Sequence, residues 1–183
     1  MIDRRKINLD ITTRCTLACP ECRRTIYKNL GWHIHGQDMP FEDFVKVCNF
    51  FDGLEFCGGV SDPVFHPKFI EFLNYCKNKV VTVHNAASHK SMDWYVKAFN
   101  ANPNATWYFG LDGLPEESHK YRVNQDGVKL FEVMKMAVDM GMNVVWQYLV
   151  FDYNKDHIKE AKSLSKGMTF LTREPRTFKS GPT

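Results

Sequence analysis

No stretch of this chain approaches the ~20 consecutive apolar residues that a membrane-spanning helix requires, and no segment has the low-complexity bias of a linker. The first absence argues against a membrane partner. The second, with no shift in composition along the chain, predicts one domain over residues 1–183, its last stretch from about 172 a flexible polar tail. The opening Met1-Ile-Asp-Arg-Arg-Lys6 lacks the apolar centre of a secretory signal, so a cytoplasmic location is expected. Charge is nearly balanced: a net +3 is too small to indicate nucleic acid. No cysteine follows Cys76, so no second cysteine-held cluster is expected within the chain.

What is present is a globular composition, 44% hydrophobic and 14% aromatic over 183 residues, enough for a sizeable core. The six cysteines, without a secretory signal, suit a reducing compartment, where thiols serve metals or packing rather than disulfides. Cys48 and Cys76 lie in helix-like patterns and read as core thiols.

Short β-rich runs alternate with amphipathic helices. Strands are predicted at 7–11, 54–57, 80–84, 106–111, 143–151 and 168–171, and helices at 41–51, 67–77, 92–100, 127–140 and 157–165. Such alternation predicts a parallel sheet with right-handed crossovers. Six units of roughly thirty residues fall short of the ~250 residues of a closed eight-unit barrel. The expected fold is therefore α/β, a partial (β/α)6 TIM-like barrel with parallel strands. In such folds chemistry sits at the C-terminal ends of the strands.

Cys15-Thr-Leu-Ala-Cys19-Pro-Glu-Cys22 follows the first predicted strand and places three thiols within eight residues. Three thiolates on one loop suffice for three irons of a 4Fe–4S cluster and leave the fourth iron open. A purely electron-carrying cluster usually takes four cysteines, and a structural zinc site closes its shell with four ligands. Zinc completed by His33 or His35, and a group of free thiols, are the competing readings of these residues.

The spacing C-x3-C-x2-C after strand one of a six-unit βα chain resembles the radical S-adenosylmethionine (radical SAM) superfamily, over about residues 7–170. The resemblance implies a 4Fe–4S cluster on Cys15, Cys19 and Cys22, whose open iron chelates the methionine half of SAM. One electron then breaks a carbon–sulfur bond, and the 5′-deoxyadenosyl radical takes a hydrogen atom from substrate. It implies further that Phe56-Cys-Gly-Gly-Val-Ser-Asp-Pro63, with Gly58, Gly59, Ser61 and Asp62, is the glycine-rich turn beside the SAM amino group, although the more usual form is Gly-Gly-Glu-Pro. The glycines permit positive φ and close backbone approach, and a turn of this kind offers carbonyls and a carboxylate to an ammonium.

Val81-Thr-Val-His-Asn85 resembles the superfamily's Thr-Asn-Gly segment, with Asn85 either touching substrate or supporting a turn. Tyr108-Phe-Gly-Leu-Asp112-Gly113 resembles its Ser-x-Asp-Gly element with Gly110 in place of Ser, and Arg122 matches an arginine that meets the SAM carboxylate. Gln147 is expected near the ribose, and Tyr153 or Asn154 near the adenine. Arg23, Arg24, His33 and His35 fall on a long connection able to cover the substrate.

The resemblance also implies an electron donor such as flavodoxin or ferredoxin. Peptide or protein modification is the first expectation for the reaction. Activation of a glycyl-radical partner and a small-molecule substrate are the alternatives within the superfamily. A non-enzymatic zinc or electron-transfer module is the alternative outside it.

Overall fold

The computed structural model describes residues 6–175. Its six strands are β1 (Lys6–Leu9), β2 (Gly53–Phe56), β3 (Val80–Asn85), β4 (Thr106–Gly110), β5 (Asn143–Leu149) and β6 (Thr169–Arg173). Every neighbouring pair is parallel and the order is β1-β2-β3-β4-β5-β6 without reversal. Right-handed crossovers in an order that never reverses keep the helices on one face. Among the described residues β1 and β6 stay unpaired with each other, so the sheet is a partial (β/α)6 barrel rather than a closed one.

Strand alternation sorts the side chains. Leu54 and Phe56, Val81 and Val83, Trp107 and Phe109, and Trp146 and Tyr148 are buried. They pack on α2 (Phe41–Phe50), α3 (Phe69–Tyr75), α4 (Met92–Ala101) and α5 (Gly127–Asp139). Phe44 of α2 stacks on Phe72 of α3 at 4.1 Å, and Phe99 of α4 meets Trp107 edge-on at 5.0 Å. Truncating such buried aromatics to alanine costs about 3–5 kcal/mol each. The alternate positions, Glu55, Thr82, His84, Tyr108 and Gln147, point to the concave side.

Besides end shifts of about two residues at β5 and α3, the chain departs from the sequence pattern in three places. A helix the pattern does not show, α1 (Arg23–Asn29), follows the cysteine loop. It buries no residue and so carries no apolar stripe to detect. β1 stops at Leu9, which leaves Asp10 and Ile11 to the loop. β6 runs on through Thr172 and Arg173, which pair with Tyr148 and Leu149 instead of opening the expected tail. The rest of that expected tail, from 176, lies outside the described residues. The last helix, α6 (Ile158–Leu164), packs Ala161 into the core between β5 and β6.

Candidate functional site

The cysteine loop runs from the end of β1 to α1 and is tied down on several sides. Ala18 N–H donates to Val123 O at 3.0 Å, Asn124 Nδ2 to Thr16 O at 3.1 Å, and Asp62 N–H to Arg14 O at 3.0 Å. Asp38 holds the near side through Thr12 Oγ1 at 2.6 Å and Arg14 Nη2 at 2.6 Å. Cys22 is the N-cap of α1, and its own N–H donates to Cys19 O at 3.1 Å. The loop thereby gathers Cys15, Cys19 and Cys22 around a small apolar cluster of Leu17, Tyr121 and Phe151, separate from the main core.

Burial pushes the Cys15 thiol up to about 12, helped by the Asp62 charge and by Cys19 and Cys22 themselves. Burial also raises Cys19, against the opposing pull of Arg122. Thiols that raise one another in this way need a cation to ionise together, which is the chemistry of a metal donor set. As they stand, no three His, Cys, Asp or Glu side chains among the described residues converge in a metal-holding group. The fold brings the three thiols to one patch, not to one point, and the donor set suits iron or zinc.

After β2 the chain makes a tight turn. A Cβ on Gly58 would lie 2.0 Å from Ser61 O, so only glycine fits. This is close approach to the protein's own backbone. Neither Gly58 nor Gly59 takes the positive φ that the pattern suggested. Asp10 holds the turn from the end of β1, accepting from Gly59 N–H at 2.8 Å and from the Ser61 hydroxyl. Asp62 then caps the 3-10 turn Pro63–Phe65.

The Asp62 carboxylate is buried and accepts from Val64 N–H at 3.2 Å, Ala86 N–H at 2.8 Å, Ala87 N–H at 3.0 Å and Asn85 Nδ2 at 3.1 and 3.2 Å. Burial raises this carboxyl while the donors from Ala86, Ala87, Val64 and Asn85 pull it back. Its oxygens are committed to the exit of β3, and Asn85 takes the turn-supporting role of its two alternatives.

At the exits of β4 and β5 the pattern repeats. Asp112 is fully buried and accepts from Leu149 N–H at 2.8 Å and Arg122 Nε at 2.7 Å. Its backbone N–H donates to Ser118 Oγ at 2.8 Å, and Tyr153 donates to its carbonyl at 2.7 Å. Asn154 closes its own loop, accepting from Phe151 N–H at 2.8 Å and donating to Leu149 O at 3.0 Å. Gly110, where the resembling motif has Ser, leaves room for the guanidinium. A Cβ there would lie 2.9 Å from Arg122 Nη2.

These exits enclose an open cavity of about 240 Å³. Of the residues expected at the cofactor, Gly58, Ser61, Asp62, Arg122 and Gln147 line it, whereas Asp112 and Asn154 are buried away from it and Gly59 sits exposed on the turn outside it. Arg122 joins cavity and cysteine loop, with its guanidinium against both Asp112 and Cys19. A nucleoside-sized ligand would extend past so small a cavity, since enclosed ligand pockets run to ~300–1,000 Å³.

Three residues that the motifs do not single out also matter here. His84 lines the cavity, with Nε2 2.7 Å from Glu55 Oε1 and its ring stacked 4.8 Å from Tyr108. Burial lowers His84, with Glu55 opposing. Tyr108 lines the same wall. The available signal was polarity at alternate positions of otherwise apolar strands. Asp10 carried no such signal, because its role depends on a turn 49 residues away.

Fold and site together define a class: a partial parallel barrel with a three-cysteine loop and a polar cavity at the C-terminal ends of its strands. No protein-family model and no curated protein matches the chain. Solved structures do match. Methylornithine synthase (PylB) superposes with a TM-score of 0.67 at 16% identity, over 91% of this chain and 52% of that one. Streptococcus suis SuiB bound to S-adenosylmethionine gives 0.69 at 11%, over 97% and 43%. SuiB bound to precursor peptide SuiA gives 0.72 at 12%, over 91% and 39%. The chain thus spans about half the length of these proteins or less. At such identities the likeness is one of fold, and that fold is the partial parallel (β/α)6 barrel described above.

Proposed function

We propose that this chain is the catalytic core of a radical SAM enzyme. The observation that carries the reading is Arg122, whose side chain lines the polar cavity and whose charge acts on Cys19 of the three-cysteine patch. A metal-bound ligand carrying a carboxylate is what a buried guanidinium at that junction suits. In this reading Cys15, Cys19 and Cys22 hold a 4Fe–4S cluster. When bound, cluster and SAM supply one-electron cleavage of a carbon–sulfur bond and a 5′-deoxyadenosyl radical that abstracts substrate hydrogen.

The protein's own part is placement. The carbonyls of the Gly58–Ser61 turn accept from the SAM ammonium, Arg122 pairs with its carboxylate, and Gln147 meets the ribose. Asp62 braces the part of the wall it lines, and Asp112 and Asn154 act from behind, so that the three fix the strand exits that form the walls. His84 and Tyr108 face the remaining space, where substrate enters. A peptide or protein substrate is the first reading, supported by the fold shared with SuiB, which binds a precursor peptide. A flavodoxin or ferredoxin is the proposed electron source.

Anaerobic reconstitution with iron and sulfide tests this. The expected outcome is a 4Fe–4S spectrum that changes on SAM addition, with 5′-deoxyadenosine formed under dithionite. Cys19→Ser loses the iron and Cys76→Ser keeps it. Stoichiometric zinc with no response to SAM would instead identify a metal-binding module.

A further inference from the structure

Helix α1 is the outer continuation of the cysteine loop, and unlike the other α-helices among the described residues it buries nothing. Ile26 on the helix is 42% exposed, and Leu30 and Trp32 at its exit are 56% and 61% exposed. Trp32 is nonetheless held in place. α1 ends in a Schellman turn with Gly31 at φ 71°, Gly31 N–H donating to Lys28 O at 3.1 Å and Trp32 N–H to Tyr27 O at 2.8 Å. The Trp32 ring lies 5.5 Å from Tyr27.

Around this apolar centre the charge is of one sign. Residues 20–36 contain Arg23, Arg24 and Lys28 against the single acid Glu21, which is itself engaged. Arg24 donates to Thr13 O, while Arg23 and Lys28 form no ion pair with any described residue. A concavity of about 380 Å³ sits between Arg24, Lys28 and Trp32. It shares no lining residue with the central cavity.

The geometry points to this face as the docking surface for an acidic one-electron carrier protein. The inference rests on the proposed radical SAM reading, which requires an electron to reach the thiol-bound metal. Electron transfer falls steeply with distance, so the carrier must dock beside the loop that holds the metal, and Cys22 is the residue that caps α1. An exposed tryptophan ringed by arginine and lysine is the composition of an interface core. Unpaired cations select an acidic partner and speed its arrival. The patch is modest in extent, as redox encounter surfaces are. A substrate, by contrast, must deliver its reacting carbon to the central cavity, to whose walls this face contributes nothing.

The test uses the reconstituted full chain, an acidic flavodoxin as probe, and the double variant Lys28→Glu/Trp32→Ala. Calorimetry of oxidised flavodoxin binding should show about a tenfold weaker Kd in the variant, and wild-type binding should weaken as salt rises. Flavodoxin-driven 5′-deoxyadenosine formation at limiting carrier should fall by a similar factor, while the dithionite-driven rate stays unchanged, because a small reductant needs no docking. Equal flavodoxin affinity for wild type and variant overturns the proposal. So does equally tight binding of an acidic protein that has no redox centre. Absence of SAM cleavage with dithionite strikes the functional reading instead, and the calorimetric comparison still decides whether this face binds the carrier.

Discussion

The side chains of Asp62 and Asn85 meet at 3.1 and 3.2 Å, joining the exits of β2 and β3 across 23 residues of sequence. Tyr95 extends the link, donating to Asn85 Oδ1 at 3.0 Å and to Ala87 O at 2.8 Å. Removing the carboxylate strands the N–H groups of Val64, Ala86 and Ala87 in a buried place and leaves the Asn85 amide with Ala87 O alone. At about 1–3 kcal/mol per unsatisfied buried donor, partly relieved by water, Asp62→Ala should cost about 3 kcal/mol or more. Urea unfolding measures it, and a loss under about 0.5 kcal/mol would contradict the structural role assigned to Asp62.

Gly58 and Gly59 are adjacent in sequence and opposite in tolerance. Gly58→Ala drives a methyl to 2.0 Å from Ser61 O, whereas the same change at Gly59 meets Asp10 Oδ2 at an ordinary 3.4 Å. Gly58→Ala should therefore lower stability by about 1–3 kcal/mol, the range for overpacking, and weaken SAM binding because the turn carbonyls move. Gly59→Ala should stay within about 1 kcal/mol of the parent. Thermal unfolding of the two variants side by side checks the contrast, and equal effects would refute it.

How much of this was legible beforehand depends on the range of each interaction. The strand and helix alternation is local, so β3 and α4 stand within a residue or two of where their patterns place them. The cysteine spacing, read after β1, located the loop for the same reason. Two features were beyond reach. α1 buries no residue, so hydrophobic periodicity has nothing to register. The motif chemistry of Asp62, Asp112 and Asn154 suggested groups facing a ligand, yet their oxygens are taken up by backbone N–H groups at loop exits and, at Asp112, by Arg122 as well, which no spacing rule displays. The polar residues left facing the cavity, His84, Tyr108 and Gln147, are at strand positions where side-chain alternation alone decides the direction.

Acid should destabilise the fold partly through His66. This buried ring accepts from Lys68 N–H through Nδ1 at 3.1 Å, so Nε2, 3.0 Å from Met39 O, must carry the proton and donate. Burial lowers its pKa from 6.5, with Met39 O and Asp38 opposing and Arg14 and Lys68 adding to the fall. A histidine lowered on folding gives stability that is complete above its unfolded pKa and is lost as pH drops below it. Stability should hold above pH 6.5 and then decline by at most about 1.4 kcal/mol per pH unit from this group. His84 and His89 shift the same way, His89 to about 4 through burial, Lys90 and Lys129. The contribution of His66 is therefore the difference between wild type and His66→Asn. Parallel urea-midpoint curves for the two between pH 8 and 5 would remove it from the account.

Gln147 and Asn154 differ in role: the resemblance assigns both to the cofactor, and the structure separates them. Gln147 lines the cavity, and its side-chain amide makes no hydrogen bond to any described residue, which leaves it available to a ligand. Asn154 is fully buried and engaged at both ends of its amide, with Tyr148 donating to its carbonyl at 2.7 Å. Gln147→Ala should therefore leave the urea midpoint nearly unchanged and weaken SAM binding to the reconstituted protein about tenfold, roughly one hydrogen-bonded contact. Asn154→Ala should do the reverse in order of cause. It should lower stability by about 1–3 kcal/mol by releasing Phe151 N–H and Leu149 O, and any loss of SAM affinity should recover when the loop is stabilised by lower temperature. If Gln147→Ala destabilises the fold as much as Asn154→Ala, the division between wall and support drawn at the β5 exit is wrong.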